Sequence, residues 1–133
     1  MRLAAATAVV LGAATSAVVG CRTERADAVE LEHVAAIAWT LPPGGSVDGT
    51  GTALHRTPEG AEAKWQISAP MAWADYRHWS AERGAGPYRR TRAEDDGLTF
   101  SRLTTGDAFV VEVTALDPRS PARLQVTFSA RPD

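Results

Sequence analysis

Residues 122–130 read ARLQVTFSA. In an extended chain Leu124, Val126, Phe128 and Ala130 fall on one side, and Arg123, Gln125, Thr127 and Ser129 on the other. Side chains alternate across a strand, so this period-two pattern marks a strand with one buried and one wet face. That condition belongs to an antiparallel sheet covered on one side only.

Working back from this strand, the pattern repeats. The stretch AFVVEVTAL, Ala108 to Leu116, sets Phe109, Val111 and Val113 against Val110, Glu112 and Thr114. Before it, LTFSRL places Leu98, Phe100 and Arg102 together. Thr105-Gly106-Asp107 and Glu94-Asp95-Asp96-Gly97 are turns, Asp-Gly being suited to a tight hairpin. YRRTRA, from Tyr88, is a polar strand expected near an edge. Further back, AEAKWQIS alternates, with Ala63, Trp65 and Ile67 on one face. The turn Thr57-Pro58-Glu59-Gly60 joins it in a hairpin to a weak Gly- and Thr-rich strand within residues 46–57.

One segment has helical spacing. In APMAWADYRHWSAERGAG, Ala72, Trp73, Tyr76, Trp79 and Ser80 share a side, and Arg83 falls at its end, where the stem can cover apolar surface. Pro70 suits the first helical position, and Gly84, Gly86 and Pro87 stop the helix. Together these elements predict an α+β fold. Its antiparallel sheet has about six strands in the order ββαββββ, with one amphipathic helix packed on one face. Residues 46–133 form this domain, and Trp65, Trp73, Tyr76, Trp79 and Tyr88 belong to its core. Upstream, VELEHVAAIAW has apolar residues at Val34, Ile37 and Leu41, as a short helix or an extended arm; Trp39, beside Pro42-Pro43, is the aromatic expected to be partly exposed.

The amino-terminal end has a different composition. Leu3 to Gly20 carries no charge, Arg2 precedes it, and Arg22, Glu24, Arg25 and Asp27 follow it. This is the layout of a signal peptide over residues 1–20. As a helix the run would reach roughly 27 Å, near a bilayer core, but it is built of Ala, Thr and Gly more than Leu, Ile or Phe. The chain's single cysteine, Cys21, stands at the end of it.

Val18-Val19-Gly20-Cys21 resembles the lipobox of bacterial lipoproteins. Val18 stands where that motif most often has Leu. The resemblance implies a diacylglycerol thioether on Cys21, cleavage after Gly20, and further acylation of the new terminus, palmitate being a typical chain. Two or three acyl chains anchor stably where one does not, at about 0.8 kcal/mol per buried CH₂. Residues 21–45 then serve as lipidated terminus and tether. The protein is expected on the extracytoplasmic face of the cell membrane or outer membrane, facing another envelope protein or a cell-wall component. Arg22 is not the Asp associated with inner-membrane retention in double-membraned bacteria.

Composition limits the remaining functions. The chain has 133 residues with a formal net charge of −2, and Lys64 is its sole lysine. Without a basic stripe nothing suggests a nucleic-acid partner. One cysteine permits neither an internal disulfide nor a thiolate metal site, and no cofactor motif is present. Arg89, Arg90 and Arg92 read as a phosphate or anionic-lipid contact, or as an edge strand protected by charge, which the adjacent Glu94-Asp95-Asp96 favours. His33 and His55 are isolated. Asp75, His78 and Glu82 share a narrow arc of the helix, where two carboxylates beside an imidazole can hold a metal or orient a base. The same spacing is also that of a solvated face laced with i,i+3 and i,i+4 pairs. The function expected is therefore non-catalytic binding or support in the envelope. The alternative is a small metal-binding protein or hydrolytic enzyme built on Asp75, His78 and Glu82.

Overall fold

The structure, a computed structural model, describes residues 28–49, 52–83 and 87–132. Two compact units divide between Glu32 and His33. Of the first, residues 28–32 are described, and they are helical. The second, His33–Asp133, holds every described strand.

Helix α1 covers residues 28–40. It is followed by β1 (Ser46–Asp48), β2 (His55–Thr57), β3 (Gly60–Ala69), α2 (Trp73–Glu82), β4 (Arg89–Ala93), β5 (Gly97–Thr104), β6 (Asp107–Asp117) and β7 (Ala122–Pro132). The seven strands form one antiparallel sheet in the order β1-β3-β7-β6-β5-β4, with β2 also on β3. An α+β, sheet-dominated fold is thus present, with two corrections to the expected element order. Residues 46–57 hold two short strands, β1 pairing with Gln66–Ser68 and β2 with Gly60–Glu62 on the same edge of β3. Gly49 at φ +70° takes the chain out of the extended region between them. The second is α1: of the two forms left open for this segment, short helix or extended arm, it takes the helix, which adds a helix ahead of the expected order.

The register shows why the alternation was informative. Ala63, Phe128, Val111 and Phe100 are successive partners across β3, β7, β6 and β5, and so are Trp65, Val126, Val113 and Leu98. All eight are buried. The adjacent rows on the other face, such as Lys64, Thr127, Glu112 and Thr99, are half-buried or exposed. At the β2–β3 turn, Gly60 (φ +153°) approaches β7 so closely that a Cβ would lie 1.9 Å from the Ala130 carbonyl oxygen.

Strands β3 and β4 run parallel, with three strands between them, so α2 is a crossover that must pass from one edge of the sheet to the other. It begins at Trp73, three residues after Pro70: the Met71 carbonyl accepts from the Ala122 N–H at 3.0 Å, and Ala72 is extended. No side chain caps α2; the Trp73 N–H donates instead to the Pro118 carbonyl at 2.9 Å. The Trp73 indole N–H donates to the Asp95 carbonyl at 2.7 Å, fixing the same end of the helix to the β4–β5 turn.

From His33 on, α1 packs on the apolar face. The His33 ring lies 5.6 Å from both Trp65 and Phe128, and Trp39 lies 4.6 Å from Phe100. Tyr76 joins the two helices: its hydroxyl donates to the Thr40 carbonyl at 2.7 Å. Trp39 is buried, contrary to expectation, because the last turn of α1 lays it against β5 and Tyr88.

Candidate functional site

Cys21, the lipobox Val18-Val19-Gly20-Cys21 and the whole of residues 1–20 lie outside the described residues. Among the described residues no helix is long and apolar enough to cross a membrane.

Asp75, His78 and Glu82 lie on the exposed side of α2. His78 Nε2 is 3.0 Å from Glu82 Oε1, an i,i+4 pair with side chains 75% and 68% exposed. A pair so open to water contributes a few tenths of a kcal/mol. Among the described residues no three His, Cys, Asp or Glu side chains are placed to hold a metal ion.

A different set of residues is drawn together at the C-terminal end of α2. A cleft of about 520 Å³ is lined by Trp39, Ser80, Ala81, Pro87, Tyr88, Arg89, Arg90 and Phe100. Each wall has a local cause. Trp39 comes from the last turn of α1, Ser80 and Ala81 from the last turn of α2, and Phe100 from the apolar face of β5. Tyr88 and Arg90 enter with β4, where Arg90 pairs with Phe100. Directly opposed strand residues share a face, so Arg90 stands on the helix-covered side with Phe100, and Tyr88, two residues earlier, with it. Arg89 pairs with Ser101 on the other face of the strand, yet it too lines the cleft. A bulge between Arg90 and Arg92 then shifts the phase, and Arg92 pairs with Thr99 and with Glu94 at 2.7 Å.

The aromatic walls are in mutual contact. Trp39 meets Phe100 edge-on at 79° and Tyr88 at 5.0 Å between centroids. Arg83 extends this cluster: its guanidinium carbon is 4.9 Å from the Trp39 ring and 4.7 Å from the Trp79 ring. A guanidinium in contact with two indoles loses part of its hydration, although Arg83 as a whole stays half-buried. Burial accordingly draws the Arg83 pKa below its ordinary value, an effect partly offset by Tyr76. Burial likewise pushes the Tyr76 phenol above its ordinary value. Two donors here have no hydrogen-bond acceptor, Arg83 Nη1 and the Trp39 indole N–H, although both are buried. Ser80 Oγ donates to the Arg77 carbonyl at 2.9 Å, leaving its own lone pairs toward neighbouring donors.

A smaller hollow of about 360 Å³ lies on the β2–β3 hairpin among His55, Thr57, Glu62, Ala63 and Lys64. Its charges are an exposed Glu62–Lys64 pair at 3.6 Å.

The sequence placed Arg83 on the apolar stripe of its helix, and the structure keeps it there. What the sequence missed is the second indole: Trp39 comes from a segment read as a tether. Comparison with family models, with characterised proteins and with solved structures finds no match to this chain.

Proposed function

We propose that this chain is a lipid-anchored bacterial envelope protein, held by Cys21 at the extracytoplasmic face of a membrane, whose sheet domain binds rather than transforms its partner. The observation that carries the reading is the Val18-Val19-Gly20-Cys21 sequence after an uncharged run from Leu3, with the chain's single cysteine as its last residue. A free thiol is a liability on an exported protein, and acylation removes it. The cleft beside α2 supports the binding half of the proposal. Its rings, Trp39, Tyr88 and Phe100, are buried behind it, so the groups it offers a ligand are polar and basic, Arg89 and Arg90 among them.

Extraction of the protein from its native membrane and mass spectrometry of its first peptide tests the anchor. The expected terminus is Cys21 bearing a diacylglycerol thioether, and Cys21→Ser should leave the protein uncleaved or unanchored. An unacylated mature terminus at any other residue would overturn the reading.

A further inference from the structure

We propose that the outer side of α1 rests on the surface of the membrane that holds Cys21, so that the helix from His33 onward lies between the lipid and the apolar face of the sheet. The inference rests on the lipid-anchor reading given above and adds to it an orientation of the domain.

This segment has no charge to offer water. From Val34 to Val47 the sequence contains no Asp, Glu, Lys, Arg or His. The inner side of the helix is accounted for by the sheet, with His33, Ala36, Trp39 and Thr40 buried. At 100° per residue Val34, Ala38 and Leu41 fall together on the other side, flanked by Ala35 and Ile37. Val34 is 60% exposed, Ala35 and Ala38 are exposed, and Ile37 and Leu41 are half-buried. A surface helix ordinarily turns charged or polar side chains outward, and a helix that is apolar all round is covered on both sides. Helix α2 shows the ordinary case in the same domain, with Asp75, His78 and Glu82 on its exposed side.

Position in the chain decides what covers this side. Six residues, Arg22 to Asp27, separate Cys21 from Ala28, the first described residue. Seven Cα steps reach at most about 25 Å, so the chain enters α1 within that distance of the acyl chains. The apolar side is small and would not draw a free protein to lipid. On so short a tether docking becomes an intramolecular step at a roughly millimolar effective concentration, and a modest apolar contact suffices. No charge has to be desolvated as the side chains enter the interface, and a helix with one apolar side lies in the plane of the interface rather than across it. A second copy fits less well, because five short side chains offer far less than the roughly 1,200 Å² that a stable pair of proteins buries.

The test uses the full acylated chain in nanodiscs of phosphatidylethanolamine and phosphatidylglycerol, after mass spectrometry of its first peptide. With Cys21 acylated, an introduced cysteine is the single thiol that takes a bimane fluorophore. Val34→Cys and Ala38→Cys place it on the outer side of α1, and Glu112→Cys places it on the open face of the sheet. All three positions are exposed, so the fold tolerates them. Lipids bearing a nitroxide near the headgroup should quench the Val34 and Ala38 probes several-fold more than the Glu112 probe. Adding Val34→Lys to the chain labelled at Ala38→Cys should bring its quenching down toward the Glu112 level. Equal quenching at the three positions, no quenching at Val34 and Ala38, or no effect of Val34→Lys would overturn the docking and leave the anchor standing. So would coupling between the Val34 probes of two copies in one disc without quenching by lipid, which would give the face to a second copy. An unacylated Cys21 would overturn anchor and docking together, so the two failures are told apart.

Discussion

Replacing Tyr76 by Phe removes one oxygen atom from the junction of the two helices. Tyr76 is 1% exposed, and its hydroxyl donates to the carbonyl of Thr40, itself 1% exposed, at 2.7 Å. The ring volume is retained, so no appreciable cavity opens. A neutral hydrogen bond contributes about 1 kcal/mol net, but here the deletion also strands a buried helix-terminal carbonyl, which brings the expected loss to about 1–3 kcal/mol. Urea unfolding followed by tryptophan fluorescence, at neutral pH, measures it.

The same hydroxyl gives the loss a pH signature. In the unfolded chain the phenol titrates at its ordinary value of 10.0, whereas burial holds the folded-state value higher. Between the two values the unfolded state binds fewer protons than the folded one, so stability falls as pH rises, by about 1.4 kcal/mol per pH unit. The Tyr76→Phe variant carries no such proton. The advantage of the native chain over the variant should therefore be full at neutral pH and shrink by about 1.4 kcal/mol between about pH 9 and about pH 11. A neutral-pH difference under about 0.5 kcal/mol, or one that does not narrow in alkali, would refute the placement of this hydroxyl on Thr40.

Five further substitutions probe the sheet and the exposed helix face. Gly60→Ala forces a Cβ to 1.9 Å from the Ala130 oxygen and should lower the melting temperature sharply; Gly97→Ala, whose nearest neighbour would be the Val113 oxygen at 3.6 Å, should change it little. Phe128→Ala should cost about 3–5 kcal/mol in chemical denaturation, and its sequence neighbour Thr127→Ala within about 0.5 kcal/mol, because only the first faces the core. His78→Ala should shift stability by no more than a few tenths of a kcal/mol, with zinc leaving the melting temperature of the native chain unmoved. A zinc-induced rise that disappears in that variant would restore the Asp75, His78 and Glu82 face as a metal site.

The strands were legible because burial on a sheet obeys a rigid period. Leu124, Val126, Phe128 and Ala130 alternate without a fault, and all four are buried. The α2 stripe was legible in part: Trp73, Tyr76 and Ser80 are its buried residues, while Trp79, expected in the core with them, is half-buried. Helix α1 misleads the same logic. Its apolar spacing picks out Val34, Ile37 and Leu41, yet Val34 is 60% exposed, and the buried residues from His33 on are His33, Ala36, Trp39 and Thr40. A small residue lets the helix approach the sheet, and His33, Trp39 and Thr40 bury flat or compact side chains there; a hydropathy pattern does not register such a face. The cleft was hidden for the same reason, since Trp39 is one of its walls. Arg90 was hidden by a bulge, which sends Arg90 and Arg92 to different partners and breaks the even reading of the arginine run.

Arg83 is where ring contact and the burial of a polar atom make opposite demands. Its guanidinium between Trp39 and Trp79 gains cation–π attraction, about 0.5–2 kcal/mol per contact. Against this stands the unsatisfied Nη1, about 1–3 kcal/mol at most because the rest of the half-buried guanidinium keeps its access to water. The two nearly cancel, so a straight apolar side chain of similar length should fit the slot without loss. Arg83→Met keeps the stem, places a polarisable sulfur near the indoles, and removes the orphan donor. Its stability should equal or exceed that of the native chain, while Arg83→Ala, which empties the space between the rings, should be destabilised by about 1–2 kcal/mol. If Arg83→Met instead loses more than about 1.5 kcal/mol, the cation is retained for folding. If it is neutral or stabilising, the cation between the indoles is not held for folding, and the fold accepts methionine at this position.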